Sequence, residues 1–242
     1  MLKHIATRLL ERTPYRITRS NANRFQAIVH CLGHLRRLGF RPRLIIDAGA
    51  HLGAFALEAR RLFPGARLHM IEPQPACRAP LERLAAEHGF VLHPVAVSAA
   101  AGAVRMICGE TPDTGAHIAW EVNRSRANAD VEATTLDHLF AAEAKADDRI
   151  LLKLDLQGHE LLALQGASAT LPLIELVLVE VSFFQQIGEP TIRQIIAFFD
   201  TNGFDLFDIA ALSGRTRDDR LRQGDFIFVR RGTPLLADRR WE

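Results

Sequence analysis

The stretch Leu44-Ile45-Ile46-Asp47-Ala48-Gly49-Ala50-His51-Leu52-Gly53 decides the fold. An apolar, β-branched run ends in an acid, two glycines spaced G-x-x-x-G follow, and an Ala- and Leu-rich segment comes after them. A strand that turns sharply into a helix leaves backbone N–H groups exposed at the turn, which makes a floor for a nucleotide-like ligand. A second acid, Glu72, closes the next apolar run, Leu68-His69-Met70-Ile71. It lies about 20 residues past the turn, where a Rossmann-like unit places the carboxylate that holds ribose hydroxyls.

Outward from that unit, apolar strand patterns and helical patterns alternate. Strands are predicted over 43–48, 67–72, 90–97, 149–155, 173–181, 204–210 and 225–230, with a further extended, antiparallel-compatible run over 103–108. Helices are predicted over 53–63, from Pro75 to near Gly89, around Leu136, Leu139 and Phe140, after Gly158, and over 191–201. The alternation argues for an α/β fold with a doubly wound, mostly parallel, seven-stranded sheet, its last strand antiparallel to its neighbour. Upstream, Phe25, Ile28, Val29, Leu32, Leu35 and Leu38 recur at helical steps, so a helical extension over 1–42 precedes the main domain at 43–232, and a tail follows at 233–242. The segment 109–130 shows no steady period and carries His117, Trp120 and Asn123, residues suited to gripping a polar ligand, so it is read as a lid or substrate loop. The charged segment 214–223 reads as a hairpin excursion.

Composition narrows the function classes. A formal charge of +2 gives no general argument for nucleic acid, and two tryptophans and one tyrosine supply little stacking surface. Cys31, Cys77 and Cys108 are far apart and form no C-x-x-C pair, which argues against a zinc site and a disulfide framework and fits a reducing compartment. No run approaches a membrane-spanning length, and the first residues lack the apolar core of a signal peptide, so the expected location is cytoplasmic. Residues 1–20 carry Lys3, Arg8, Arg12, Arg16 and Arg19 beside Leu2, Ile5 and Leu9. Such a segment can lie on an anionic membrane surface, but a terminal helix with a solvated face is the preferred reading.

Four acids, Asp47, Glu72, Asp155 and Glu180, end apolar strands, where sheets of this kind bind ligands. The first turn reads Asp-x-Gly-x-x-x-Gly rather than G-x-G-x-x-G, so an acid stands where a pyrophosphate would be repelled. A ligand bearing an ammonium or sulfonium fits better, and the arrangement resembles the S-adenosylmethionine site of class I methyltransferases. The run Leu152-Lys153-Leu154-Asp155-Leu156-Gln157-Gly158-His159-Glu160-Leu161-Leu162-Ala163-Leu164-Gln165-Gly166-Ala167 looks like the K-x-D-x-[EQ]-G-x-E signature of the FkbM-type methyltransferase family. Glu72-Pro73-Gln74-Pro75, Thr134-Thr135-Leu136-Asp137 and Gly224-Asp225-Phe226-Ile227-Phe228-Val229 resemble the same family, over about 44–231. His51 and His159 depart from its commoner residues.

The resemblance implies a class I, Rossmann-like methyltransferase fold, S-adenosyl-L-methionine as cofactor, and O-methylation of a sugar, glycan or polyketide-type hydroxyl. It implies cofactor contacts at Asp47, Gly49, Ala50, His51, Gly53, Glu72, Pro73 and Asp155. Asp155 is the first candidate for taking the hydroxyl proton and His159 the second, with a purely cofactor-positioning role for Asp155 equally open. Glu160 is read as bracing the turn, and His117, Trp120, Asn123 and Glu180 as candidate acceptor contacts. Asp155, His159 and Glu180 leave a carboxylate–histidine metal site open, although no spacing is diagnostic and no metal is expected. The alternatives are a catalytically silent cofactor-binding module of the same fold and a methyltransferase of another acceptor class, such as a nucleic-acid ribose.

Overall fold

The computed structural model describes residues 24–238, so the calls on 1–20 and on the last tail residues lie outside the described residues. Strand β1 (Leu44–Ala48) leads through α2 (Ala54–Leu62) to β2 (Arg67–Ile71), and α3 (Pro75–His88) leads on to β3 (Val91–His93). Helix α1 (Arg24–Arg37) precedes this unit. Further along come β8 (Ile150–Leu154), α5 (Glu160–Gln165), β9 (Ile174–Ser182), α6 (Ile192–Thr201), and the long pair β10 (Phe204–Arg215) and β11 (Leu221–Arg230). These seven strands form one sheet in the order β10-β11-β9-β8-β1-β2-β3. Neighbours from β3 to β9 pair in parallel, while β11 runs antiparallel to both β9 and β10. The sheet is therefore mixed, with β11 alone reversed.

Side-chain alternation along each strand explains why helices cover both faces. Ile45, Leu68, Met70, Leu151, Leu176 and Val229 point to the face that packs α1, α2 and α3. Ile46, Leu152, Leu154, Val177 and Phe228 point to the face that packs α5, α6 and the short α4 (Leu136–Phe140). Helix α1 is no loose appendage: Ile28, Cys31, Leu32 and Leu35 are buried in the first cluster. Leu235, assigned by sequence to the tail, is buried there too.

Two expectations change, and the hairpin over 214–223 is borne out. The run 90–97 is not one strand, because Pro94 cannot donate to a ladder; β3 ends at His93, and β4 (Ala96–Val97) joins another sheet. That second sheet, in the order β4-β7-β5-β6, takes in β5 (Gly102–Ile107), β6 (His117–Ile118) and β7 (Ala129–Thr134). The expected lid over 109–130 is largely ordered as β6 and a 3-10 turn at Glu121–Arg126, organised around Met106, Ala116 and Val131. The segment 214–223 is the tip of the β10–β11 hairpin itself, with Ser213 paired to Gln223 and Arg215 to Leu221.

Candidate active site

Strand order switches at β1: the chain moves outward through β2 and β3, then returns to place β8 on the other side. A crevice opens at the carboxyl ends of such strands. Here it is a cavity of about 340 Å³, walled by the turns after β1, β2 and β8 and roofed by β4, β5 and β6 of the second sheet.

The β1 turn is held by its neighbours. Gly49 and Ala50 donate to Ile71 O at 2.9 and 3.1 Å, and His51 N–H donates to Glu72 Oε2 at 2.8 Å. Gly49 has φ 80, and a Cβ there would lie 1.9 Å from Asp155 O; Gly53, also at φ 80, would drive a Cβ to 2.2 Å from Leu84 Cδ2. Both glycines thus serve the left-handed backbone and close packing, of β8 in one case and α3 in the other. Glu72 is buried, and its Oε1 accepts Gln74 N–H at 3.0 Å. Each oxygen takes a single backbone donor, which leaves lone pairs for a ligand diol.

Of the predicted cofactor residues, Gly49, Ala50, His51, Glu72, Pro73 and Asp155 line the cavity, and Gly53 and Asp47 do not. Asp47 lies within β1, fully buried, with its carboxylate 3.0 Å from Lys153 Nζ. A strand-end acid open to the ligand is therefore the wrong picture of Asp47. Lys153 also donates to Gly49 O at 2.6 Å, so this one ammonium ties β8 to the β1 turn. Burial opposes its charge, but Asp47, Asp155 and Glu72 outweigh that and raise its pKa.

Asp155 faces the cavity directly after β8. Its Oδ1 accepts Gln157 Nε2 at 2.9 Å and its Oδ2 accepts Arg24 Nη2 at 3.3 Å. Glu160 braces the turn behind it, accepting Leu156 N–H at 2.8 Å and Gly158 N–H at 3.2 Å, and burial pushes its pKa up to about 7. His159 also reaches the wall, with Nε2 3.0 Å from Ser98 Oγ. Burial pushes it down to about 4, so it is neutral near pH 7.

The predicted acceptor residues divide. His117 lines the cavity and, through Nε2, accepts Asn123 Nδ2 at 3.1 Å; Asn123 Oδ1 accepts Trp120 N–H at 2.8 Å. Asn123 and Trp120 stand behind the wall, Asn123 bracing His117 and Trp120 packed against Gly188 and 6.0 Å from the His159 ring. Glu180 is also behind the wall, accepting Arg24 at 2.5 Å, Gln223 at 2.5 Å and Gln157 at 3.1 Å. Burial and the charges of Asp155 and Asp225 push Glu180 up to about 8 despite Arg24.

Sequence reasoning missed Arg24, Lys153 and Asp225, all in the wall. Lys153 was findable, since in a strand it shares the face of Asp155 two residues on. Asp225 was a charge inside the apolar run 224–229, which demands a buried partner. Nothing local marks Arg24. Among the described residues, no group of three or more His, Cys, Asp or Glu is placed to hold a metal.

The family profile described as the methyltransferase FkbM domain matches residues 47–206, about two thirds of the chain and the whole span from β1 to the start of β10. The chain belongs to the FkbM methyltransferase family. Among solved structures, the methyltransferase FkbM from Methylobacillus flagellatus KT is 16% identical with a TM-score of 0.48, and the match covers 76% of this chain but only 43% of that one. Precorrin-6y C5,15-methyltransferase from Geobacter metallireducens GS-15 is 11% identical with a TM-score of 0.46, over 89% and 93% of the two chains. An rRNA methylase from Streptococcus thermophilus is 10% identical with a TM-score of 0.48, over 89% and 99%. No protein of curated function matches. Within this FkbM methyltransferase, helix α1 with Arg24 and strand β11 with Asp225 lie outside the matched span.

Proposed function

We propose that this FkbM methyltransferase uses S-adenosyl-L-methionine to methylate a hydroxyl group of a sugar, glycan or polyketide-type small molecule. The observation that carries the reading is Glu72, a buried carboxylate bonded to the β1 turn through His51 N–H and facing a cavity of small-molecule size. The residues present fit the cofactor. Glu72 has free lone pairs for a ribose diol, and Ile71, Pro73, Val95 and Met106 offer apolar walls for a base. His51 Nε2 is buried with no hydrogen-bond partner among the described residues, as a polar atom awaiting a ligand is. Asp155, whose backbone carbonyl abuts Gly49, lines the cavity where Asp47 does not.

Bound there, S-adenosylmethionine supplies a methyl group already activated on a sulfonium. The protein's own task is mainly alignment, which accounts for a large part of the barrier in such transfers. Asp155 accepts the proton of the acceptor hydroxyl as oxygen attacks, and Lys153 fixes the turn that sets the donor's position. His159, neutral and with Nε2 engaged by Ser98, shapes the adjoining wall.

Calorimetry with S-adenosylmethionine and its demethylated product tests the donor, and a screen of glycan and natural-product acceptors with methyl-labelled donor tests the acceptor. Saturable donor binding lost in Glu72→Ala is expected. Absence of binding overturns the enzyme reading, and binding unchanged in Glu72→Ala overturns the ribose assignment.

A further inference from the structure

Four groups meet where α1, β8, β9 and β11 converge. Arg24, the first residue of α1, donates bidentately to Asp225 at 2.6 and 2.7 Å, reaches Glu180 at 2.5 Å, and reaches Asp155 at 3.3 Å. Asp225 and Glu180 are buried, and they face each other as paired residues on β11 and β9. A single guanidinium therefore answers three carboxylates, two of which have left water. Removing one partner of such a buried set leaves uncompensated charge.

We infer that Arg24 is a positioning residue of the methyl-transfer site, fixing the Asp155 carboxylate and supplying the counter-charge to the Asp155–Glu180–Asp225 cluster. The inference rests on the reading of Asp155 as acceptor of the hydroxyl proton. It makes α1, which precedes the family's matched span at 47–206, a part of the active site rather than an extension of it. The cavity supports the assignment. Glu72 and Pro73 stand at one end of the strand row, at β2, and Arg24 and Asp225 stand at the other, with Asp155 between them. The donor reading occupies the first end, so the Arg24 end is left to the acceptor.

Asp155 is faced by Arg24 from α1, Lys153 from β8, Asp47 from β1, Glu180 from β9, Asp225 from β11 and Glu160 from α5. Lys153 is committed to Asp47 and to Gly49 O. Among the described residues, Arg24 is thus the cation whose hydrogen bonds go to this wall. Its loss removes the counter-charge, and protons bind the carboxylates more readily.

The test is a carbon-13 carboxyl NMR titration of the full chain, with signals assigned through Glu180→Gln and Asp225→Asn, in wild type, Arg24→Ala and Arg24→Lys. In Arg24→Ala the cluster's midpoints are expected to rise by about one pH unit or more, the size of effect a close opposite charge has on a carboxylate. Arg24→Lys is expected to recover most of the shift. Arg24→Gln, closer in shape, serves if the alanine variant does not fold. S-adenosylmethionine affinity, read by calorimetry, is expected to stay within about threefold of wild type, under 1 kcal/mol. Unmoved midpoints in Arg24→Ala and Arg24→Gln overturn the inference, as does a large loss of donor affinity, which would place Arg24 in the donor site. Failure of the wild type to bind the donor strikes the proposed function instead, and the titration still reads the charge role of Arg24.

Discussion

Lys153 makes its polar contacts to Asp47 and to Gly49 O at the base of the cavity. Lys153→Met strands the buried Asp47 charge and should cost about 3–5 kcal/mol, measured by denaturant unfolding. The double variant Asp47→Asn/Lys153→Met should recover most of that loss, and a double variant as unstable as the single one would remove the ion pair from the account. Gly49→Ala meets two penalties at once, a left-handed backbone and a carbonyl 1.9 Å from the new Cβ, and should lose about 3 kcal/mol or more. His159→Phe keeps the ring's volume while removing both nitrogens. If Asp155 takes the proton, the pH profile of methyl transfer keeps its shape in this variant, whereas loss of its acidic limb would restore His159 as the base.

Among the elements, those with a strong local period were legible and those defined by partners were not. Helix α6 could be read from Ile192, Ile195, Ile196 and Phe199, and β1 and β8 from apolar runs broken only by Asp47 and Lys153. The second sheet could not, because β4 and β6 are each two residues long and exist only through pairing with β7 and β5. The same limit governs the site. Residues near the glycine turn and the K-x-D run announce themselves, while Arg24 reaches Asp155 across 131 positions and carries no local signal. Helix α1 is anchored by Leu32 and Leu35, both essentially inaccessible to solvent. Leu35→Ala should destabilise by about 2–5 kcal/mol. Because Arg24 sits on the same helix, the variant should also weaken the Asp155 wall, seen as a parallel rise in the carboxyl titration midpoints.

Across the whole molecule, buried carboxylates give stability a definite dependence on pH. Glu180 and Glu160 are raised by burial to about 8 and about 7, from an ordinary value of 4.5. Between those limits the native state holds protons that the unfolded chain has released, so stability falls as pH rises. The contribution of these groups is complete below the ordinary value and lost as pH climbs through about 7 to 8. Thermal unfolding followed from about pH 5 to 9 should therefore show a shallower decline in Glu180→Gln than in wild type. An equal or steeper decline would mean that Glu180 releases its proton in the native state.

The order of strands also acts as a ruler for chemists. From Glu72 beyond β2 to Asp225 on β11 the sheet takes four steps, β2-β1-β8-β9-β11, each about 4.8 Å, so the backbones at the two ends stand about 19 Å apart along the strand row. Arg24 draws the Asp225 and Asp155 side chains together within that span. On the proposed donor reading, an inhibitor built to span the two ends needs a nucleoside at the Glu72 end, a linker shorter than that reach leading to Asp155, and a head group that accepts hydrogen bonds from Arg24, 3.3 Å from Asp155. A compound short of the full span can occupy only one end, and competition with S-adenosylmethionine would sort donor mimics from acceptor mimics.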